Sequence, residues 1–517
     1  MLLLLPRELL TLIMEQAVHS IELEKSLRLR LVCKLFSDEV IRALCTTGTF
    51  ANHVDFNMAV YMNPHLVVRY LRYEALHQKI RNPYISGLWE IVDYLMLHRD
   101  DKSDQSKEDV LTSVCMCMAH HWRGEIIEAM RDKLCHENVG RLYADTLREI
   151  RLTIAAFTGD MALVEALTQG ERPDVGSDWV GPPLFAAVGQ GHVEITERLL
   201  EKGSSASYIR PLVGTTALGI ACRNGDNRMV RLLLHPKYKI HAGNIMQGLK
   251  QAAIGNHISI FQMMLKSAQD ARIGTNGIDH FLRAALPGAC LNGAIEAIQV
   301  LQEMGITPYP NPPPAHHTQL TSLQLASYKG HLELVRLLLS TRTDYEFGSI
   351  DDDGFAAQLA TGGGHLSILK LLLDGTKRMI RGMPSQCPVD LSTYYTEWEL
   401  LDVAAEHGHD DIVEYLLLEV APRHRLDTKS VLGRALHFAS VHGQQAVLKL
   451  LVENGADINY IPDHGDIDMW PFSSTPTKTA AVHRQWHFVH ALVELGAPAL
   501  GPDDYKDIEA CRKEWDL

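Results

Sequence analysis

Residue types that bind metal ions cluster at two places in the chain. The first group is Cys115, Cys117, His120, His121, Cys135 and His136. Residues two apart on a helix point to nearly opposite sides, so Cys115 and Cys117 cannot hold one ion together. The second group is His483, His487 and His490, whose i, i+4, i+7 spacing straddles a helix-breaking position. We therefore expect buried cysteines and exposed histidines, with no metal site and no cofactor.

Two further segments contain some of the residues of a known type of binding site. Asp351 to Gly354 begins like a calcium loop, but its downstream ligands are missing, and we interpret it as a turn between helical units. Gly362 to Gly364 precede a helical pattern without a phosphate-binding fingerprint. No G-x-S-x-G segment occurs either. The chain is therefore predicted not to be an enzyme.

The residues are instead ordered by a repeat. An alanine recurs ten times at steps of 31 to 44 residues, followed four positions later by a helix breaker and after eight more by a bulky apolar residue. The alanines are Ala155, Ala187, Ala221, Ala252, Ala289, Ala326, Ala360, Ala404, Ala439 and Ala480. The breaker is glycine in eight units, with Asn256 and Arg484 in the fourth and tenth. Such a period predicts stacked supersecondary units.

Within one unit the spacing predicts two short helices. Leu323 and Ala326 share a helix face, Gly330 ends that helix in a left-handed conformation, and Leu334 to Leu338 begin a second apolar stripe. Helices this short cannot bury their apolar stripes alone, so each unit must pack on its neighbours. Because Gly–His pairs recur with the repeat, we interpret their histidines as helix-boundary residues and not as ligands.

These units resemble the ankyrin repeat. The resemblance is carried by GTTALGIACRNGD (residues 214–226), by GRALHFASVHG (433–443) and by LLVENGADIN (450–459). It implies an all-α fold dominated by an ankyrin-repeat α-solenoid of about ten helix-turn-helix units within residues 146–517. It also implies that the chain is a protein–protein interaction module.

The first residues form a different pattern. Leu9, Leu10, Ile13, Met14 and Ala17 lie at helical spacing in a helix predicted to start at Pro6, and Leu27 to Phe36 form a second. Pro6, Arg7 and Glu8 interrupt the opening apolar run, which is unlike a signal peptide. Residues 1–48 resemble an F-box, a module that docks on the Skp-type adaptor of a cullin-RING ubiquitin ligase. Matching the adaptor-facing positions are Leu5, Pro6, Ile13, Val32 and Phe36. If the module binds an adaptor, the apolar face that includes Pro6, Ile13, Val32 and Phe36 should be partly exposed in the isolated protein. The alternative is a helical cap on the first repeat.

Between the two patterns, residues 49–145 are predicted to be a helical bridge of degenerate ankyrin units.

Three insertions interrupt the array, near residues 305–320, 374–398 and 460–476. In repeat arrays, insertions map to loops on one face that is often the binding face, and aromatic residues are frequent anchors at interfaces. The candidate target-binding residues are Tyr309, Tyr394, Tyr395, Trp398, Trp470 and Phe472. They could equally cover apolar edges of the stack.

Composition limits the classes of partner. Hydrophobic residues make up 46% of the chain, and no apolar run is long enough to span a membrane. The net charge of −14 argues against direct nucleic-acid binding. Nine scattered cysteines without a recurring spacing predict reduced thiols, in the cytoplasm or the nucleus.

Two functions fit these observations. The favoured one is a substrate receptor of an SCF-type ubiquitin ligase, with a Skp-type adaptor and cullin as partners and a target protein on the ankyrin surface. The alternative is an ankyrin-repeat regulatory scaffold, such as a transcriptional coregulator, whose N-terminal helices only cap the array. Binding of an adaptor by the first fifty residues distinguishes them.

Overall fold

The computed structural model describes fourteen stretches of the chain: 7–20, 34–46, 64–77, 83–97, 101–122, 148–169, 173, 180–209, 214–306, 320–341, 349–373, 397–420, 428–461 and 474–514. They belong to two compact units, Met1–Ala285 and Leu286–Leu517. Regular structure in these stretches is helical, apart from one isolated bridge between Ile209 and Thr216. Within the same stretches, no helix is long and apolar enough to cross a bilayer.

The described residues before the repeats form five helices. They are α1 (Arg7–Ser20), α2 (Lys34–Thr46), α3 (Pro64–His77), α4 (Pro83–Leu97) and α5 (Asp104–Trp122). α1 packs on α2, α2 on α3, and α5 on both α3 and α4. The guanidinium of Arg151 lies 3.6 Å from the centre of the Tyr94 ring, which joins α4 to the first repeat. Whether α3 to α5 are degenerate ankyrin units stays a prediction.

Ten helical pairs follow, here called repeats 1 to 10. In the first compact unit the pairs are 148–158 with Met161–Leu167, Pro183–Gln190 with Val193–Glu201, Ala217–Asn224 with Asn227–Leu233, and Ala242–Ile254 with Ile258–Asp270. In the second they are Leu286–Leu291 with Ile295–Glu303, Ser322–Tyr328 with Leu332–Ser340, Ser349–Gly362 with 366–373, Glu397–His407 with Asp410–Tyr415, Thr428–His442 with Gln445–Glu453, and Pro476–Val482 with Trp486–Glu494. Two helices stand outside this pattern, Thr275–Arg283 after repeat 4 and Pro502–Glu514 after repeat 10.

Burial confirms the repeat predicted from the alanines. All ten alanines lie in the first helix of their pair and are fully buried. Nine of the ten bulky positions in the second helices are buried as well, the exception being the half-buried Leu167. Within each compact unit, the first helices of neighbouring repeats pack on one another. The small alanine side chain is what allows this close approach.

The turn between the two helices has one geometry throughout. The carbonyl of each alanine accepts a hydrogen bond from the backbone N–H five residues later, as from His331 to Ala326 at 3.0 Å. This closure requires a positive φ at the breaker, and Gly330 has φ +78°. Asn256 and Arg484 adopt the same conformation, with φ of 59° and 60°. The two departures from glycine therefore preserve the turn, at the cost of strain at Arg484.

A second contact joins six of the repeats to the one before it. In these repeats the residue after the breaker lies over the breaker glycine of the preceding repeat, and its side chain donates a hydrogen bond to a carbonyl there. The Nε2 atoms of five histidines do so at 2.9–3.1 Å: His192 to Phe157, His257 to Arg223, His331 to Leu291, His365 to Tyr328 and His409 to Gly362. The amide of Gln444 replaces the imidazole in repeat 9, at 2.8 Å from the Glu406 carbonyl. The Gly–His histidines are thus structural, as their recurrence indicates.

One prediction from a local pattern is corrected. Asp351 to Gly354 lie inside the helix Ser349–Gly362 and do not form a turn, because the first helix of repeat 7 is longer than the common unit. In α1 the buried stripe is Leu10, Met14 and Val18, so Leu9 and Ile13 lie on the exposed side. The histidine stripe at residues 483–490 is divided between two helices, as expected from the breaker at Arg484.

The helix Pro502–Glu514 covers the end of repeat 10. Its Ile508 is buried against Ala481 and Val482, and Asp504 accepts a 2.7 Å ion pair from Lys478. Its remaining described surface is largely exposed and polar.

The glycine–histidine contact can be tested with two glycines of equal φ. Gly305 (φ +77°) has open space where a β-carbon would lie, whereas at Gly330 (φ +78°) that carbon would meet the His365 ring at 2.5 Å. Gly305→Ala should cost about 1–2 kcal/mol of left-handed strain. Gly330→Ala should cost about 1 kcal/mol more, because the His365 hydrogen bond is also lost. Hydrogen exchange of the helices flanking each site measures the loss of stability in both variants. The additional loss in Gly330→Ala should vanish when His365 is also changed to alanine. An additional loss that persists without His365 would contradict the contact as its cause.

Nearest-neighbour packing makes a second prediction. Leu338 and Leu492 are both fully buried, in repeats 6 and 10. Either change to alanine should cost about 2–5 kcal/mol. Because each repeat packs on adjacent ones, Leu338→Ala should lower hydrogen-exchange protection in repeats 5 to 7, and Leu492→Ala mainly in repeats 9 and 10. Equal loss of protection across all repeats in both variants would contradict this picture.

Candidate protein-binding surfaces

The α1–α2 pair has a small core and an exposed apolar face. The two helices pack on each other, with Leu10, Met14 and Val18 buried on α1 and Val40 and Leu44 buried on α2. The Thr11 hydroxyl donates a 2.9 Å hydrogen bond to the fully buried Glu39 carboxylate, and Thr46 donates to Glu15 at 3.1 Å. These bonds hold α1 in one orientation on α2. The opposite side of α1 therefore presents its apolar side chains outward: Leu9, Leu12 and Ile13.

The predicted adaptor-facing residues that the structure describes differ in solvent exposure. Ile13 is 40% exposed on α1, beside Leu12 at 60%. Phe36 is only 7% exposed, so the expectation that its side chain is partly exposed is wrong: it lies on the buried side of α2. Leu5, Pro6 and Val32 lie outside the described residues. Sequence spacing did not identify Leu9 and Leu12 as residues of the exposed face. The apolar residues of α1 lie on two adjacent stripes, one residue apart in the sequence, and spacing alone does not tell which of the two stripes is buried.

A second apolar surface runs along the first helices of repeats 6 to 9. Half-buried apolar residues stand immediately before the buried alanines, and others follow one turn later. We call this surface the first-helix strip and define it as Leu325, Tyr328, Leu359, Val403, Phe438 and Val441. Tyr328 is the most exposed of them, at 42%. Since neighbouring first helices pack directly on one another, the strip crosses four repeats.

Few charges interrupt this strip. His442 Nε2 lies 3.5 Å from a Glu406 carboxylate oxygen, and Lys329 Nζ lies 5.0 Å from the centre of the Tyr328 ring. Gly362 and Gly363 of repeat 7 lie between these two pairs of residues along the strip, and glycine has no side chain. The arrangement offers apolar and aromatic contacts edged by a few polar groups, which is the composition of protein interfaces.

Most of the predicted target-binding aromatic residues cannot be placed on these surfaces. Tyr309, Tyr394, Tyr395, Trp470 and Phe472 lie outside the described residues, as does the side chain of Trp398, which belongs to the first helix of repeat 8. Their role stays a prediction.

The structure describes the first residues of the third insertion, and the buried His437 holds them in place. His437 Nε2 donates to the Tyr460 carbonyl at 3.0 Å, and Nδ1 accepts from the Thr479 hydroxyl at 3.1 Å. His437 is 1% exposed, and burial lowers the pKa of its imidazole to about 4. The neutral ring therefore joins repeat 9, the insertion and repeat 10.

Cys115 and Cys117 are both buried in α5. Burial raises the pKa of the Cys115 thiol to about 12, and it raises that of the Cys117 thiol as well. Both thiols remain protonated at neutral pH, whereas a zinc ligand is a thiolate. Over the stretches with described side chains, no three His, Cys, Asp or Glu residues come close enough to hold an ion.

His437 makes stability depend on pH. Its pKa is near 6.5 when unfolded and about 4 when folded, so the unfolded chain binds more protons between those values. The stabilisation is complete above about pH 6.5 and decreases as pH falls towards 4, by up to about 3 kcal/mol. In His437→Gln, hydrogen-exchange protection of repeats 9 and 10 should change less between pH 7 and pH 5 than in the unmodified chain. An unchanged pH dependence would exclude His437 as its source.

A family model for ankyrin repeats in three copies matches residues 152–244, 323–429 and 359–462. Among curated proteins, the Caenorhabditis elegans protein "Ankyrin repeat and KH domain-containing protein mask-1" is 29% identical over 316 residues, 60% of this chain and 12% of its own length. The "Probable E3 ubiquitin-protein ligase XBOS32" of Oryza sativa subsp. japonica is 28% identical over 223 residues, 41% of this chain and 42% of its own length. The chain thus matches less than half the length of either relative.

Among solved structures, the human ASB11 ankyrin repeat domain is similar over 41% of this chain and 84% of that domain, with 22% identity and a TM-score of 0.29. The family model covers helical pairs in both compact units, and every pair has the buried alanine and the left-handed turn. The helical pairs of this chain thus have the fold of ankyrin repeats, and the family model matches them within residues 152–244, 323–429 and 359–462.

Proposed function

We propose that this chain is a substrate receptor of an SCF-type ubiquitin ligase. In this function, the α1–α2 module binds a Skp-type adaptor and, through it, a cullin. The ankyrin repeats bind the protein to be ubiquitinated. The repeats themselves support only the coarser statement, that the chain binds other proteins, since function depends on the surface that a fold carries.

The observation that carries the proposal is the exposed apolar face of α1. Leu9, Leu12 and Ile13 are 48%, 60% and 40% exposed, while the core of the pair is complete without them. Contiguous exposed apolar residues of this kind mark interaction sites. The resemblance of residues 1–48 to an F-box suggests the partner for this face, and the printed name of the rice relative, a probable E3 ubiquitin-protein ligase, motivates a ligase function without bearing on the adaptor.

The cap alternative requires α1 to cover a repeat. α1 packs mainly on α2, and α2 reaches the following helices through α3, with an ion pair of 3.8 Å between Asp38 and Arg69. The described contacts thus support a module attached at α2, whose α1 remains available to a partner.

The first-helix strip is the proposed surface for the target. Its half-buried leucine, valine and aromatic side chains need no rearrangement of the first helices to contact a partner. This gives a clear division of roles, with adaptor contacts on α1 and target contacts in repeats 6 to 9.

Adaptor binding can be tested with charge placed on the exposed face. Leu12→Asp combined with Ile13→Asp should abolish co-purification of a Skp-type adaptor with the full-length chain, because two carboxylates would be buried at the interface. The helical content should not change, since both side chains are already exposed. The matched control is Leu97→Asp, which alters a leucine that is 72% exposed on α4, and it should leave adaptor binding intact.

Two results would overturn the proposal. The unmodified chain could fail to bind any Skp-type adaptor, or the double variant could bind it as well as the control does. Either would favour the regulatory scaffold, such as a transcriptional coregulator, in which the repeats bind a partner without a ligase.

A further inference from the structure

Basic residues are concentrated in repeats 3 and 4 of an otherwise acidic chain. Between residues 202 and 269 there are nine lysines and arginines and a single acidic residue, Asp226, whereas the whole chain has a net charge of −14. Asp226 caps the second helix of repeat 3 by accepting a hydrogen bond from the Met229 N–H at 2.9 Å. Its carboxylate is thus engaged with the backbone.

Four of the basic side chains follow one line on the surface. Arg228 and Arg231 lie three residues apart on the second helix of repeat 3, on the side opposite the buried Met229, Val230 and Leu233. Lys237 and Lys239 continue the line in the turn that follows, around the short 3-10 helix Pro236–Tyr238. All four are exposed. We call them the basic strip.

Helix stability does not account for the strip. A cation in the first turn of a helix is unfavourable, because that end carries partial positive charge. Arg228 stands in that turn, at a position where repeats 2, 5, 6 and 8 carry Glu194, Glu296, Glu333 and Asp411. Neither Arg228 nor Arg231 pairs with an acidic side chain in the stretches that the structure describes. Lys237 has a long contact of 3.9 Å to Glu201, and its ammonium lies 5.5 Å from the centre of the Tyr238 ring.

The size of the strip limits its partner. The helix of seven residues is about 10 Å long, and with the turn the strip suits an extended segment of about six residues. Beside it, the second helix of repeat 2 exposes Glu194, Glu197 and Glu201. A nucleic acid has phosphates along its whole length and would meet these carboxylates, whereas a short acidic segment need not.

We propose that the basic strip binds a short carboxylate-rich segment of a partner protein. The acidic remainder of the chain repels such a segment everywhere else, so that the strip is its favoured position. This binding site is on the outer, second helix of its repeat and is separate from the first-helix strip and from α1. It is independent of the proposed ligase function.

The test uses a fluorescein-labelled hexaglutamate peptide and the full-length chain, with binding followed by fluorescence anisotropy. Arg228→Glu combined with Arg231→Glu should weaken binding about tenfold or more at low salt. Binding by the unmodified chain should also weaken as salt rises to about 0.15 M, where the Debye length is about 8 Å. Hexalysine should not bind.

The repeat itself supplies the control. Arg336→Glu combined with Lys449→Glu makes the same change of net charge, and both residues occupy the repeat position of Arg231 in repeats 6 and 9. This variant should keep the affinity of the unmodified chain within about twofold, since long-range effects of exposed charges are small.

Four results would overturn the proposal: no binding of hexaglutamate at low salt, equal weakening in both double variants, tighter binding of a single-stranded DNA of equal charge, or self-association of the free chain that is lost in the Arg228→Glu, Arg231→Glu variant. The third would assign the strip to nucleic acid and the fourth to a second copy of the chain.

Discussion

Six of the repeats are held to the preceding repeat by a side chain that lies over a left-handed glycine and donates a hydrogen bond to a carbonyl beside it. The pair works only as a unit. Glycine gives the φ of the turn and leaves room for the imidazole, while the imidazole satisfies a carbonyl at the end of a helix. At Gly330, for example, the ring of His365 occupies the space that a β-carbon would need. This contact requires only a glycine, a side chain that donates a hydrogen bond and a backbone carbonyl that accepts it. It is therefore compatible with wide variation elsewhere in the unit.

That variation is visible in the substitutions the fold accepts. Arg484 takes the left-handed conformation without being glycine, and Gln444 replaces a histidine with an amide that reaches the same kind of carbonyl. In repeat 3, where Asp226 stands in the histidine position, the Asn224 amide donates to the Gly189 carbonyl at 3.1 Å. The spacing between repeats is thus maintained by geometry more than by residue identity, which leaves the surfaces free to differ.

The surfaces that result have different chemistry. The exposed face of α1 is apolar, the first-helix strip is apolar with aromatic residues, and the basic strip is cationic. A protein that binds one partner through leucines and another through arginines separates the two by chemistry as well as by position. Apolar contacts contribute affinity in proportion to buried area, whereas charges mainly set the rate of encounter and exclude wrong partners.

Sequence alone determined the repeat, because its signal depends on local physics: an alanine where helices approach, a glycine where the chain must turn left, and leucines at helical spacing. The basic residues around Arg228 and Arg231 can be counted in the sequence, but only the structure shows that they are exposed along one line. The sequence did not determine which side of α1 is buried, and there the tertiary structure decided. Leu9, Leu10, Ile13 and Met14 are equally apolar, and only the packing of α2, with its hydrogen bond from Thr11 to Glu39, selects Leu10 and Met14 for the core. For the same reason Phe36 belongs to the core, since burial depends on which neighbour a helix meets and not on the helix itself.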